Sequence, residues 1–374
     1  MTSVNLQLHT SISAIDRHAW DALAGSQPFL RHAFLSLLEE TGCVGNEAGW
    51  QPCHAALTDG DQLLAAMPMY LKAHSWGEYV FDWAWADAAQ RADIAYYPKL
   101  LSAIPFTPVP GVRLLGSDDA SRLTLLQGVM QWAEEEALSG LHCLFPPLAD
   151  APLFEAVGMM QRHGVQFHWH NRGYGSFADF IGTMSHDKRK KIKQERRKVM
   201  EAGVAIRRKT GTEITEADWR FFAACYERTY AAHRSTPYLN LDFFCRLGRD
   251  MPEHCLLVLA EQEGKPVAAA LNLFDDTRLY GRYWGAMAFV PSLHFELCYY
   301  QGIEFAIERG LRVFEGGAQG EHKLARGFEA VETSSFHHLS HPALNEAVQR
   351  FLLREGRGVA HYLSELEERA PFRE

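Results

Sequence analysis

Across its 374 residues the sequence has no run of about 18 apolar residues, the length a membrane-crossing helix needs. The most apolar region, near Tyr96 to Leu115, is broken by Pro98, Pro105, Pro108 and Pro110. The first residues lack a charged segment followed by an apolar one, so no secretory leader is expected. No Cys-x-x-Cys pair occurs, and the seven cysteines (Cys43, Cys53, Cys143, Cys225, Cys245, Cys255 and Cys298) are odd in number. That usage argues against a disulfide frame or a cysteine zinc site and fits reduced thiols in a cytoplasm. His168 and His170 stand two apart without a further ligand nearby, and His337, His338 and His341 are no better supplied, so no metal site is expected.

What is present is ample apolar material: 47% hydrophobic residues with 12% aromatics, enough for packed cores in a soluble globular protein. The length implies two domains, read here as 1–165 and 166–374. The net charge of −9 hides an asymmetry. Residues 188–198, Lys-Arg-Lys-Lys-Ile-Lys-Gln-Glu-Arg-Arg-Lys, hold eight basic residues and one acidic, a local +7 that leaves −16 on the remainder. A block this dense on an acidic protein is either a polyanion contact or a solvated helix face. It lies in a helical stretch over 185–202, which Gly203 is placed to stop; Ile192, Val199 and Met200 give it a thin apolar stripe.

Two segments of the chain read alike. In the first, a helix at Phe34–Glu40 precedes two apolar strands around Asp59-Gly60; in the second, a helix at Leu241–Leu247 precedes two strands around Glu263-Gly264. Asp-Gly is a strong hairpin signal and Glu-Gly a weaker one. An aromatic stretch follows each hairpin, Tyr79–Trp85 and Tyr280–Gly285, and both read as strands. A helix and a closing strand then complete each half, once a proline-rich insertion of roughly 30 residues in the first is allowed for. The expected fold is α/β with a mixed sheet, built from two copies of one unit.

After the second closing strand, Leu311–Phe314, comes Glu-Gly-Gly-Ala-Gln-Gly-Glu-His-Lys-Leu-Ala-Arg-Gly-Phe, residues 315–328. Glycines let the backbone pass close to a ligand or take positive φ, and ionisable groups on such a loop are held together at a strand end. The matching place in the first half offers only Phe145-Pro-Pro-Leu, which assigns any chemistry to the second copy.

A strand pair, an aromatic strand, a helix and a closing strand resemble the core of the GNAT acyltransferase fold, here as two GNAT-like domains in tandem. The layout with a basic bridging helix resembles the Fem peptidyltransferases. Met184–Val204 resembles the Fem segment in which a basic helix ends in Lys-x-Gly-Val, and Phe314-Glu-Gly-Gly through Lys323 and Arg326-Gly-Phe resembles the closing Fem motif. Tyr79–Asp87, Tyr96-Tyr-Pro-Lys, Pro105-Phe-Thr-Pro-Val and Gly317–Lys323 are similar to a proteobacterial FemAB-like group linked to peptidoglycan biosynthesis or recognition. There are departures: no heptad run supplies the long coiled-coil arm common in Fem enzymes, and His322 replaces a phenylalanine before the motif lysine.

The resemblance implies transfer of an acyl or aminoacyl group to an amine, with a cell-wall precursor as acceptor and aminoacyl-tRNA or acyl-CoA as donor substrate; no other cofactor is implied. Such chemistry needs an amine stripped of its proton, a donor for the oxyanion and a cradle for an anionic carrier. Lys323 is the oxyanion candidate, unless Glu315 or Glu321 holds it in a salt bridge. Asp82, Asp87, Glu315 and Glu321 are candidate bases; Asp82, between aromatics, is expected to have its pKa raised by burial. Tyr283, Trp284, His294, Glu296, His322, Arg326, Gly316 and Gly317 are candidates for lining the cleft. Lys188, Arg189 and Lys191 are candidates for the donor's phosphates, with tRNA contact across 188–198. Acetyl-CoA enzymes of the GNAT superfamily carry a Gln/Arg-x-x-Gly-x-Gly/Ala cradle, and neither Ala286–Ser292 nor Pro110–Gly116 supplies it, which weakens the coenzyme A reading. A coenzyme A-dependent acetyltransferase on a small amine and a non-catalytic peptidoglycan-recognition module stay open.

Overall fold

The computed structural model describes residues 4–317, 320–368 and 372. The chain forms two compact units, residues 1–165 with 332–362 and residues 166–331 with 363–374. The strand Glu329–Leu339 and the helix Pro342–Glu368, both assigned to the second domain on sequence, thus lie largely in the first unit. No helix among the described residues is long and apolar enough to cross a membrane.

In the first unit, one antiparallel sheet runs Val4–His9, His54–Asp59, Gln62–Met67, Leu115–Gly116. The hairpin turns at Asp59-Gly60 as the sequence indicates, with Gly60 at φ +57°. A second set of strands is ordered Trp50–Pro52, Tyr70–Lys72, Lys99–Ser102, Gly140–Leu144, and then the later residues of Glu329–Leu339. Leu125, Leu126 and Val129 of the helix Asp119–Glu135 pack in the core with Leu57, Met67 and Leu141.

The expected aromatic strand at Tyr79–Trp85 does not form. Tyr79 sits at φ +62°, and Trp83–Arg91 is a helix that buries Trp85 and Ala89 at i, i+4. Its alanine-rich sequence favours the helix, and buried ion pairs fix its start. Lys99, fully buried on its strand, donates to Glu78 at 2.8 Å and to Asp82 at 2.5 Å. The correspondence between the two halves fails at this point.

The second unit keeps the expected order. Its strands run Val204–Thr210, Cys255–Gln262, Lys265–Phe274, Arg278–Ala286, Val313–Glu315, followed by the last residues of Met160–His170. The first four are antiparallel neighbours. The Glu263-Gly264 turn closes their hairpin with both residues at positive φ, +52° and +74°, as a two-residue turn with primed twist requires. Arg278–Ala286 and Val313–Glu315 are parallel and joined by the helical segment between them, the order of a GNAT unit. They pair only over Arg278–Tyr280, so the first strand continues from Gly281 without a partner on that side. A bulge between Leu271 and Asn272 displaces the register of Arg278–Ala286 at the same level. An opening therefore forms where function is commonly placed on such a sheet, at the ends of its strands.

Two further elements frame the opening. The helical segment begins as Leu293–Phe295, widens into a π turn at Glu296–Tyr300 and ends as Gln301–Arg309. The basic stretch is a helix, His186–Glu201, stopped by Gly203 at φ +70°. It buries Ile192, Glu195 and Val199 at i, i+3 and i+7, so the buried stripe includes a carboxylate that sequence periodicity passed over.

Candidate functional site

A cavity of about 280 Å³ occupies the opening in the second unit. Gly281, Arg282, Tyr283 and Trp284 line it from the unpartnered part of their strand, with His294, Cys298 and Tyr299 from the helical segment. Phe314, Gly316, His322 and Lys323 line it from the glycine-rich segment, and Ala270, Leu271 and Asn272 from the adjacent strand. The π turn is one reason these side chains meet: it sets His294 against Tyr299, five residues on, with ring centroids 5.4 Å apart. His294 also packs on Trp284 at 4.8 Å, and Tyr299 shares a 2.9 Å hydrogen bond with His322 Nε2.

The glycines have distinct roles. Gly316 donates its N–H to the Phe167 carbonyl at 2.9 Å, and a Cβ there would stand 3.0 Å from that oxygen and 2.7 Å from the Phe328 ring. Gly317 takes φ +80°, which a side chain would strain. Its carbonyl accepts from the Phe167 N–H at 3.1 Å and from Lys323 Nζ at 3.3 Å.

Lys323 is 5% exposed, and among the described residues no carboxylate pairs with it. Burial, only partly offset by the neighbouring Cys298 thiol, lowers its pKa to about 8. The salt bridge to Glu315 or Glu321 is therefore not formed. Glu315 lies between Phe314 and Gly316 on a strand and so points away from the cavity they line. It is buried and accepts from Arg278 at 2.7 Å; burial, moderated by Arg278, raises its pKa to about 7. Glu321 is exposed at the start of the 3-10 turn Glu321–Arg326 and does not line the cavity. Among the described residues no aspartate or glutamate lines it. His294 is held down to about 4 by burial and by His322, Arg326 and Lys323, so it is neutral at pH 7.

The remaining expected residues fall elsewhere. Asp82 belongs to the first unit, where burial would raise its pKa but Lys99 brings it below the usual value. The tyrosine hydroxyl of Tyr96 also donates to Asp82, at 2.7 Å. A carboxylate so tied is no raised-pKa base, and the expectation made for it is corrected. Glu296 turns to the basic helix and accepts from Arg196 at 3.0 and 3.1 Å and from Gln301 at 2.7 Å. Arg326 does not line the cavity. It donates to Glu195 of the basic helix at 2.7 Å and to the His322 carbonyl at 2.7 Å, with its guanidinium 3.4 Å from the Phe295 ring centre. Tyr300 donates to the other oxygen of Glu195.

The outer face of the basic helix carries a shallow hollow of about 420 Å³ lined by His186, Arg189, Lys190, Lys193, Gln194 and Arg197. Arg197 pairs loosely with Glu201 at 3.6 Å; Arg189, Lys190 and Lys193 have no counter-charge among the described residues. Of the three expected phosphate contacts, Arg189 lines this hollow, Lys191 is exposed outside it, and Lys188 is half-buried. No cluster of three potential metal ligands occurs among the described residues.

The sequence matches the FemAB-like family, described as peptidoglycan biosynthesis/recognition, over residues 11–374. The chain belongs to the FemAB-like family. No curated protein matches it. Among solved structures it resembles the C-terminal domain of a putative lysylphosphatidylglycerol synthetase from Agrobacterium fabrum, with a TM-score of 0.56 at 8% identity, covering 93% of this chain and 97% of that one. It also resembles FemX, with a TM-score of 0.54 at 11% identity over 92% and 100% of the two chains. A conserved protein of unknown function from Bacteroides thetaiotaomicron gives a TM-score of 0.58 at 10% identity over 90% and 100%. At these identities the likeness establishes the fold shared by this FemAB-like chain and its neighbours.

Proposed function

We propose that the protein is an N-acyltransferase that moves an acyl or aminoacyl group onto an amine, with its reacting centre in the cavity at Lys323. The observation that carries this reading is a buried lysine with no carboxylate partner among the described residues, at the wall of a cavity that no described acidic residue lines, where two parallel strands part. An ammonium held there in low dielectric stabilises negative charge that develops on a carbonyl oxygen. The amine nitrogen bonds to the carbonyl carbon, and the carbonyl π electrons move to oxygen. His322, at the rim and bonded to Tyr299, takes the amine proton. Collapse of the intermediate restores the carbonyl and expels the donor's oxygen or sulfur, which receives the proton that His322 took from the amine. Transfer is direct, without a covalent enzyme intermediate; Cys298 is no nucleophile, because burial pushes its thiol far above neutrality.

Membership of a family described by peptidoglycan biosynthesis or recognition supports an amine on a cell-wall precursor as acceptor. The cationic hollow on His186–Glu201 supports a polyanionic donor, aminoacyl-tRNA before acyl-CoA. Four phosphate contacts there give a slope of roughly −3 to −4 in log affinity against log salt. A thermal-shift screen of acetyl-CoA against charged tRNA, followed by transfer assays, tests the reading. We expect a salt-sensitive shift with tRNA and a roughly 10²- to 10³-fold loss of turnover in Lys323→Ala. A shift with acetyl-CoA and none with tRNA overturns the donor. Binding of precursor without transfer, unchanged in Lys323→Ala, makes the protein a recognition module.

A further inference from the structure

One cavity residue is used neither by the packing nor by the reaction as described above. Asn272 stands on Lys265–Phe274 beside the bulge, directly across from Gly281. It is 2% exposed, and its side-chain Nδ2 has no hydrogen-bond partner. A buried amide left without a partner is costly, and native structures keep one only where something else satisfies it. Nothing on the opposite strand covers it: a Cβ on Gly281 would stand 3.2 Å from the Phe314 ring and 3.4 Å from the Glu315 carbonyl, so that position is kept bare. Asn272 is among the residues that line the same cavity as Lys323. Two side chains that carry donors, one an amide and one an ammonium, thus border a small space that no carboxylate lines among the described residues.

We infer that Asn272 and Lys323 form a two-donor seat for a negatively charged carbonyl-type oxygen, with Asn272 as a second catalytic residue of the proposed transfer. The ligand class is a carboxylate or an acyl oxyanion: planar or tetrahedral carbon bearing oxygen, with the charge shared between the two donors. The inference rests on the transferase reading for its role in turnover, but the seat itself is testable without a donor or an acceptor. The same arrangement explains why a residue with no structural partner occupies a strand interior. Removal of an unsatisfied buried amide does not weaken the fold, and the functional group is retained at the expense of stability.

The test uses the full-length chain and acetate as the probe, followed by saturation-transfer NMR. Saturable acetate binding is expected in the wild type and at least a fivefold weakening in both Asn272→Leu and Lys323→Met. The melting temperature of Asn272→Leu is expected to equal or exceed that of the wild type, which separates loss of the seat from loss of the fold. Should Asn272→Leu fail to fold, Asn272→Ala and the wild-type pH profile replace it; acetate binding is expected to weaken as the pH rises through about 8, where Lys323 loses its charge. Absence of saturable binding in the wild type, or equal binding in the Asn272 variant, overturns the seat. In transfer assays Asn272→Leu is expected to lower kcat with little change in KM for the amine. If no donor supports transfer, the transferase reading fails while the acetate titration still decides the seat.

Discussion

Replacing Lys323 with methionine probes the cavity through stability alone. The lysine is 5% exposed, and its pKa falls from 10.5 to about 8 because burial disfavours the charged form. At about 1.4 kcal/mol per pH unit, the burial of its charge costs roughly 3 kcal/mol. The folded pKa lies below the unfolded one, so between pH 8 and 10.5 the unfolded chain holds more protons. Stability of the wild type therefore rises through that window, and the full cost is present below pH 8. Methionine conserves much of the stem's volume and removes the charge. We expect Lys323→Met to be more stable than the wild type by up to about 3 kcal/mol at pH 7, with the difference shrinking towards pH 10.5. Hydrogen exchange of the Phe167 amide, which donates to the Gly317 carbonyl beside Lys323, reads the local opening energy at each pH. Parallel stability curves for the two proteins across this range would refute the claim that Lys323 carries a buried, unpaired charge.

Two further substitutions separate positioning from chemistry. Glu195→Ala strips Arg326 of its buried counter-charge and frees the Tyr300 hydroxyl, and urea unfolding is expected to show a loss of about 3–5 kcal/mol in the second unit. Lys99→Met leaves Glu78 and Asp82 buried without a cation, and thermal unfolding of the first unit is expected to show a loss of similar size, about 3–5 kcal/mol. Binding of acetate at the cavity is expected to be unchanged in Lys99→Met, which would show that Asp82 is not part of the reacting centre.

Local signals in the sequence were sufficient for the turns and glycines of the second unit. The hairpin at Glu263-Gly264, the helix stop at Gly203 and the glycines at 316 and 317 depend on backbone conformation within a few residues, and each forms as read. Tyr283, Trp284, His294, His322 and Lys323 converge on one cavity because short elements on either side of the parting strands carry them. What the sequence concealed depends on partners far away along the chain. Asp82 reads as a base between aromatics until Lys99 arrives beside it, and Arg326 reads as a cleft residue until Glu195 claims it. The aromatic stretch from Tyr79 has a strand's alternation over its first residues, yet Trp85 and Ala89 bury together only in a helix. Asn272 gave no signal beyond a polar residue in the middle of an apolar strand, Ala-Ala-Ala-Leu-Asn-Leu, and that mismatch was the available clue.

Arg326 joins two parts of the second unit that the chain supplies separately. One of its nitrogens is bound to the basic helix through Glu195, and the other to the backbone of the cavity wall at His322. The guanidinium is planar and rigid, so it acts as a spacer of set length rather than a flexible tie. The helix that bears the hollow and the wall of the cavity at Lys323 are consequently tied at a set distance. Under the proposed transfer, a donor held on the helix by its phosphates has to place its acyl end at that same reach, and a shorter or longer carrier would meet only one of the two places at a time.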